Sequence, residues 1–236
     1  MNDLKISLIG YGKMGELVHN TAVQKGIEIV SMIDPRIEDM SNPISEISMA
    51  RANVCIDFTT PESVLDNIRI LSSLGKNIVV GTTGWYSHLN DVRQIVESSN
   101  IGLIYSSNFS VGANIYFAAV EMLLRISKGR EYELSGIEKH HKEKKDKPSG
   151  TARTLENMIE EITGKGLKFQ SIREGEIKGI HTLRFDSEHD SIEIIHSAKN
   201  RKGFAHGALL AAEFIKDKKG FYDPEDFRKY LLGEKK

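Results

Sequence analysis

Leu4-Lys5-Ile6-Ser7-Leu8-Ile9-Gly10-Tyr11-Gly12-Lys13-Met14-Gly15 is an apolar run that ends in a glycine-rich turn. Leu4 to Ile9 reads as a buried strand, Gly10 to Gly15 as a turn of G-x-G-x-x-G form, and Met14 to Lys25 as a helix. Glycines so spaced allow a tight turn, close approach of a pyrophosphate and close helix packing, while the helix start offers amides and the positive end of its dipole. Glycine turns are common, so the pattern is weak alone. A strand before it and a helix after it, opening a βαβ unit, supply the context of dinucleotide binding. A second strand, Ile27 to Ile33, ends at Asp34. That is roughly 20 residues past Gly15, where an acid would hold an adenosine ribose. The same carboxylate could equally cap the Asp34-Pro35 junction. A carboxylate favours the free 2′-hydroxyl of NAD(H), whereas Arg36 could pair with the 2′-phosphate of NADP(H). The choice between NADH and NADPH, or the use of both, stays open.

Outward from this unit the alternation continues. Val54 to Phe58 is a strand, Pro61-Glu62 opens a helix with Val64, Leu65, Ile68 and Leu71 on one face, and Ile78 to Val80 is a strand. A helix from His88 to Ser98 leads to a strand at Gly102 to Tyr105. This spacing predicts a mostly parallel sheet with helices on both faces. Past Asn108 the pattern changes. A long apolar helix, Val111 to Ile126, precedes a strand, Tyr132 to Glu138, and a helix, Thr151 to Ile162. Residues Lys168 to Lys199 alternate like antiparallel strands with a hairpin turn at Asp186 to Asp190. Phe204 to Lys216 is a helix, and Asp223-Pro224-Glu225 caps a last short one. The predicted fold is α/β: a Rossmann-like dinucleotide-binding domain over residues 1–108, then an α+β domain with a mixed or antiparallel sheet over 109–236. Helices from about 205 to 236 could fold back on the first domain.

Composition narrows the function classes. The 32 basic and 33 acidic residues nearly cancel, so no global field favours nucleic acid or an anionic membrane. Cys55 is the single cysteine, which excludes an internal disulfide and suits a reduced, cytoplasmic setting. No signal-peptide pattern heads the chain, and no apolar run approaches the ~18 residues of a membrane span.

Gly81-Thr82-Thr83-Gly84 and Ser106-Ser107-Asn108-Phe109 each follow a predicted strand. Strand ends of an open parallel sheet line its ligand crevice, so these are candidate contacts to the nicotinamide ribose and other polar groups of a cofactor. Ordinary βα turns would look the same without the first motif. The densest cluster of reactive groups lies at Glu138 to Ala152, Glu-Lys-His-His-Lys-Glu-Lys-Lys-Asp-Lys-Pro-Ser-Gly-Thr-Ala. In a strand, His140 and His141 point to opposite sides, and no third Cys or His stands at ligand spacing, so no metal site is predicted. The lysines lack the aromatics and wide basic surface of a nucleic-acid patch, and a solvated loop accounts for Lys145 and Lys147. Ser149-Gly150-Thr151 reads as a helix start, either a plain cap or the seat of a substrate carboxylate.

Glu138-x-His140-His141-x-x-Lys144-x-Asp146-x-Pro148-Ser149-Gly150-Thr151-Ala152 resembles the signature of the dihydrodipicolinate reductases, also called 4-hydroxy-tetrahydrodipicolinate reductases. Further matches fall, in order, at Gly10 to Gly15, Asp57-Phe58-Thr59, Gly81 to Gly84, Ser107 to Gly112, Arg173-Glu174-Gly175 and Gly179-x-His181-Thr182. The resemblance implies an NADH- or NADPH-dependent oxidoreductase of lysine and diaminopimelate synthesis, acting on a small dicarboxylate, and a homotetramer formed through the second domain's sheet. It implies His140 as the acid/base histidine and Lys144 as a proton-donating lysine. His141, Ser149, Gly150 and Thr151 match the substrate-carboxylate site. Gly10, Tyr11, Gly12, Lys13, Met14, Asp34, Gly81, Thr82, Thr83, Ser106, Ser107, Asn108 and Phe109 match cofactor-binding positions, and Gly15 completes the glycine motif. Another two-domain nicotinamide oxidoreductase, a non-catalytic dinucleotide sensor and a basic-loop nucleic-acid binder are the competing readings.

Overall fold

The helices that the sequence places between its first apolar runs force a parallel sheet, since a strand reached through a helical crossover re-enters the sheet in the same direction. The structure is a computed structural model that describes residues 3–234; Met1 and Asn2, at the head of the segment read as lacking a signal peptide, lie outside them. In order come β1 (Lys5–Ile9), α1 (Lys13–Gln24), β2 (Glu28–Ile33), α2 (Glu46–Met49), β3 (Val54–Asp57), α3 (Pro61–Ser73), β4 (Asn77–Val80), α4 (Leu89–Ser99) and β5 (Gly102–Tyr105). They are followed by α5 (Val111–Ser127), β6 (Glu133–His140), α6 (Gly150–Thr163), β7 (Gln170–Arg173), β8 (Ile180–Asp186) and β9 (Ser191–Ser197). α7 (Lys202–Ile215), β10 (Gly220–Tyr222) and α8 (Pro224–Leu231) close the chain.

Two compact units result. One runs from the N-terminus to Val111 and resumes at Arg201; the other is Gly112–Asn200. Elements α7, β10 and α8 belong to the first unit.

The first unit holds a six-stranded sheet in the order β2-β1-β3-β4-β5-β10, parallel throughout. The order reverses at β1, which leaves a crevice at the carboxyl ends of β1 and β3. Val54, Cys55 and Ile56 are all buried because both faces of their strand are covered, and this explains their unbroken apolar run. On one face Ile6 and Leu8 pack with Val18 of α1, Leu209 of α7 and Phe227 of α8. On the other, Ile78 and Val80 pack with Val64, Ile68 and Leu71 of α3 and Val96 of α4. Each such side chain contributes about 1.5–3 kcal/mol by leaving water.

Three-residue β10 carries no periodicity that a sequence could display. Asn77 shows why it is there. Its Nδ2 donates to the carbonyls of Ile215, Lys216 and Lys218 at 2.7, 2.8 and 3.2 Å, and its Oδ1 accepts from Gly102 N at 2.7 Å. One buried amide therefore satisfies the end of α7 and steers the chain into β10 beside β5.

The second unit has a sheet in the order β7-β6-β8-β9. β6–β8 and β8–β9 are antiparallel, as expected, and Ser187 donates to the Asp190 carbonyl across the hairpin at 2.9 Å. β7, however, pairs parallel to β6. The correction to the expected antiparallel run has a physical cause: α6 lies between these strands and serves as a crossover. Helices α5 and α6 cover one face through Phe117, Val120, Leu155 and Ile159, against Leu183 and Phe185 of β8.

Asn77→Ala leaves buried carbonyls and an amide unsatisfied, and is predicted to lower stability by about 3 kcal/mol. Urea unfolding at neutral pH checks this; an unchanged midpoint would remove Asn77 as the tie.

Candidate active site

Each unit carries a cluster of the residues singled out by sequence. In the first, Gly10 stands at the end of β1 with φ +86°, a left-handed conformation that favours glycine, and a Cβ there would sit 2.4 Å from the Phe58 carbonyl oxygen. A Cβ on Gly15 would lie 2.2 Å from the Gly10 carbonyl oxygen, so that glycine lets α1 approach the turn. Gly12 differs. It caps α1 without any side-chain cap, and a Cβ there would meet nothing within 4 Å. Space in front of first-turn amides that no side chain caps fits a pyrophosphate. Lys13 is exposed at the first turn, and Met14 packs partly into the core.

Asp34 has almost no exposed surface. Its carboxylate accepts from Tyr11 N at 2.9 Å and is held in a fork by Arg36, Nε to Oδ1 at 2.8 Å and Nη2 to Oδ2 at 2.6 Å. Hydrogen bonding from Arg36, above all, keeps it ionised far below the ordinary carboxylate range. The acid thus anchors the glycine turn and neutralises itself against an arginine whose side chain is 68% exposed.

Asp57 ties the neighbouring turns together. Fully buried, it accepts from Thr59 N and Thr59 Oγ1 at 3.0 and 2.7 Å, Thr82 Oγ1 at 2.7 Å and Asn67 Nδ2 at 2.8 Å. Burial raises its pKa despite these bonds. Thr82 is therefore engaged internally, while Thr83 is exposed. A Cβ on Gly81 would fall 2.0 Å from the Phe58 ring, so Gly81 lets that ring lie against the turn. After β5, Ser106 is buried and bonds the Asn108 carbonyl and amide, Ser107 is exposed, and Asn108 Oδ1 accepts from Ser110 N at 2.9 Å. Phe109 is buried: its ring lies in the core, edge-on to Phe227, and its carbonyl is packed against Gly207 of α7.

In the second unit, strand register assembles the reactive groups. Ser171 of β7, Glu138 of β6, His181 of β8 and His196 of β9 are successive cross-strand partners, so they share one face in a single row. His140 lies on the same face of β6, with Arg173 as its partner on β7. Glu138 Oε2 stands 2.5 Å from His140 Nδ1, and Oε1 2.8 Å from Arg173 Nη2. Arg173 also donates to the carbonyls of Lys144 and Asp146, at 3.3 and 2.5 Å, and so ties the basic loop to the strand. Burial works to raise Glu138, but the neighbouring polar groups of Ser171 and Arg173 and the charge of His140 prevail and hold it at about 2. His140 is pulled below the usual imidazole value by burial, with Glu138 opposing. His181, its ring edge-on to His140 at 5.2 Å, is pushed down to about 3 by burial and then by His140.

Ser149 is the N-cap of α6. Its Oγ accepts from Ala152 N at 3.3 Å and lies 3.0 Å from His181 Nε2. Gly150 leaves open space at the helix start, and Thr151 follows in the first turn. Lys144 Nζ pairs with Asp146 at 2.8 Å. His141 follows the last residue of β6; its amide donates to the Ile177 carbonyl at 2.7 Å and its carbonyl accepts from Lys144 N. Glu138, His140 and His181 could each turn one ligand atom toward a shared point, the three lying within 4.8 Å of one another. Arg173 already pairs with that carboxylate through Oε1.

Two sequence models, described as dihydrodipicolinate reductase N-terminus and C-terminus, match residues 4–109 and 112–227. The chain belongs to the dihydrodipicolinate reductase family. It is 35% identical over 236 residues to the 4-hydroxy-tetrahydrodipicolinate reductase of Christiangramia forsetii, covering 94% of this chain and 97% of that one. With the reductase of Methanococcus aeolicus identity is 33% over 220 residues, 83% and 80% of the two chains. The dipicolinate-bound dihydrodipicolinate reductase from Paenisporosarcina sp. TG-14 shares the fold, with a TM-score of 0.78 at 22% identity over 94% and 98% of the chains.

The sequence reading gave no role to Glu138, Arg173 or His181 in this family's site. The strand alternation that separates His140 from His141 also places Glu138 beside His140, and was the available signal. Arg173 and His181 required the register.

Gly12→Ala is predicted to weaken NADH binding about tenfold while leaving the melting temperature unchanged, since nothing in the fold opposes the added methyl. Gly15→Ala should lower the melting temperature itself. Calorimetric titration beside thermal melts separates the two. His181 binds a proton below about 6.5 when unfolded but only near 3 when folded. Its neutral form therefore contributes stability that is complete above pH 6.5 and lost as pH falls toward 3. Replacing it by Gln should flatten the urea midpoint between pH 7 and 5; an unaltered slope would assign that loss to other groups.

Proposed function

We propose that this chain reduces 4-hydroxy-tetrahydrodipicolinate to tetrahydrodipicolinate, using NADH or NADPH, in lysine and diaminopimelate synthesis. One observation carries the reading: a buried imidazole held by an ionised carboxylate stands in one unit with Lys144 and the Ser149 helix start, in a family named for this reaction. The balance is one substrate, one NAD(P)H and one proton to one product, one NAD(P)⁺ and one water. The nicotinamide, when bound, supplies the hydride.

The chain's residues do the rest. The first-turn amides of α1, beyond Gly12, face the pyrophosphate, while Asp34 and Arg36 present a neutralised pair at the ribose end. Thr83 and Ser107 line the nicotinamide side. Ser149, Gly150, Thr151 and His141 hold one substrate carboxylate, and Lys144 supplies a fixed cation for the negative charge that builds as hydride arrives. Burial keeps His140 neutral alone; a dianionic substrate favours its charged form, which then gives the proton. The soluble, cytoplasmic setting fits a chain in which no described helix is long and apolar enough to cross a membrane. A homotetramer through the face of the second sheet not covered by α5 and α6 accounts for Ile195, apolar and 55% exposed on that face.

Oxidation of NADH and NADPH with freshly generated 4-hydroxy-tetrahydrodipicolinate tests the reading; cofactor binding without turnover would favour a sensor. His140→Gln is predicted to lower kcat about 100-fold with cofactor affinity unchanged. Lys144→Ala should lower kcat and raise KM for substrate together. Rates within a few-fold of wild type would remove either residue from the chemistry.

A further inference from the structure

We infer that Glu138 is a positioning residue for His140: it fixes the ring with Nδ1–H toward the carboxylate, and stabilises the imidazolium formed when Nε2 carries the proton destined for substrate. The inference deepens the proposed reaction and rests on it.

Glu138 Oε2 lies 2.5 Å from His140 Nδ1, a buried ion-pair contact out of line with the ring N–H. An ionised carboxylate only accepts, and a bare ring lone pair so close to it would be repelled, so Nδ1 holds the hydrogen. Nε2 is then the nitrogen that exchanges protons. It points toward Gly179, where a Cβ would stand 3.1 Å away, and φ +149° at that position favours glycine. Any side chain there would press on the working nitrogen.

Glu138 is itself fixed from both sides, by Arg173 at 2.8 Å and by its place opposite His181 and Ser171 in the strand row. A buried carboxylate without such partners would protonate and release the ring. The charged and titratable groups around His140 are Glu138 on its own strand, Arg173 on β7, His181 on β8 and Lys144 on the following loop. Glu138 is the sole anion among them. Proton transfer leaves it unprotonated throughout: Nε2 gives its proton to the substrate and is recharged from solvent, while Nδ1–H stays toward the carboxylate. Arg173 is the reason the proton does not cross to Glu138.

The test has two arms. In wild-type enzyme with ¹⁵N-labelled histidine, long-range NMR correlations should show neutral His140 at pH 7 as one tautomer protonated at Nδ1, its signals assigned by their loss in His140→Gln. Protonation at Nε2, or averaging of both forms, overturns the proposal even if no Glu138 variant folds. In the second arm, Glu138→Gln should cut kcat on the order of 100-fold with KM for both substrates within a few-fold. The high-pH limb of its kcat/KM profile should move to lower pH, because loss of the anion makes the imidazolium harder to form. Glu138→Asp should recover part of the rate. A folded Glu138→Gln enzyme with near-normal kcat and an unmoved limb overturns this role alone. Absence of turnover by wild type overturns the reaction on which it rests.

Discussion

The second unit is organised around a carboxylate that has no solvent to ionise in. Glu138 stays charged because Ser171 and Arg173 of β7 and His140 of its own strand surround it. Remove that charge and Arg173 loses the partner that ties the Lys144–Asp146 loop to β6, while His140 loses its orientation. The strand register answers to the same constraint. A slip of one residue between β6 and β8 would turn Glu138 away from His181 and expose it on the opposite face. The buried polar cluster and the sheet pairing are therefore specified by the same contacts.

The first unit meets a similar demand with different means. No cation among the described residues pairs with Asp57, and hydroxyl and amide donors from two turns and helix α3 surround it. Asp34 is tied to an arginine that reaches solvent. Both acids hold loops at the carboxyl edge of the sheet, where backbone groups are freed as strands end. The glycines then divide the space between packing and access: Gly10, Gly15 and Gly81 admit neighbouring atoms, and Gly12 admits none from the protein.

Most of this fold is legible in the sequence because it is written in short range. The runs Leu4 to Ile9 and Val54 to Phe58, the glycine turn, and the Ser149 and Asp223 caps each declare themselves within a few residues. What depends on distant partners does not. β7 has the alternation of an antiparallel strand, and only the crossover through α6 fixes its direction. β10 exists because Asn77 grips the end of α7. In the site, His140 and Lys144 carry a family pattern, and Glu138 follows from alternation. Arg173 and His181 reach the cluster through pairing registers that no local pattern encodes. Asp34 fits a ribose-binding spacing, yet the sequence does not say that Arg36 folds back to occupy it.

The clamp made by Asn77 also fixes an order of events during synthesis. The sheet to which it belongs is completed by segments that lie beyond the whole of the second unit in the chain. As the polypeptide emerges, Asn77 and the edge of β5 are made early, and the carbonyls they need are made last. The inserted unit, continuous in sequence, has all its strands before α7 appears. Folding on the ribosome is thus expected to finish the inner unit first, with the earlier-made half-sheet waiting, its apolar face uncovered, for the closing helices.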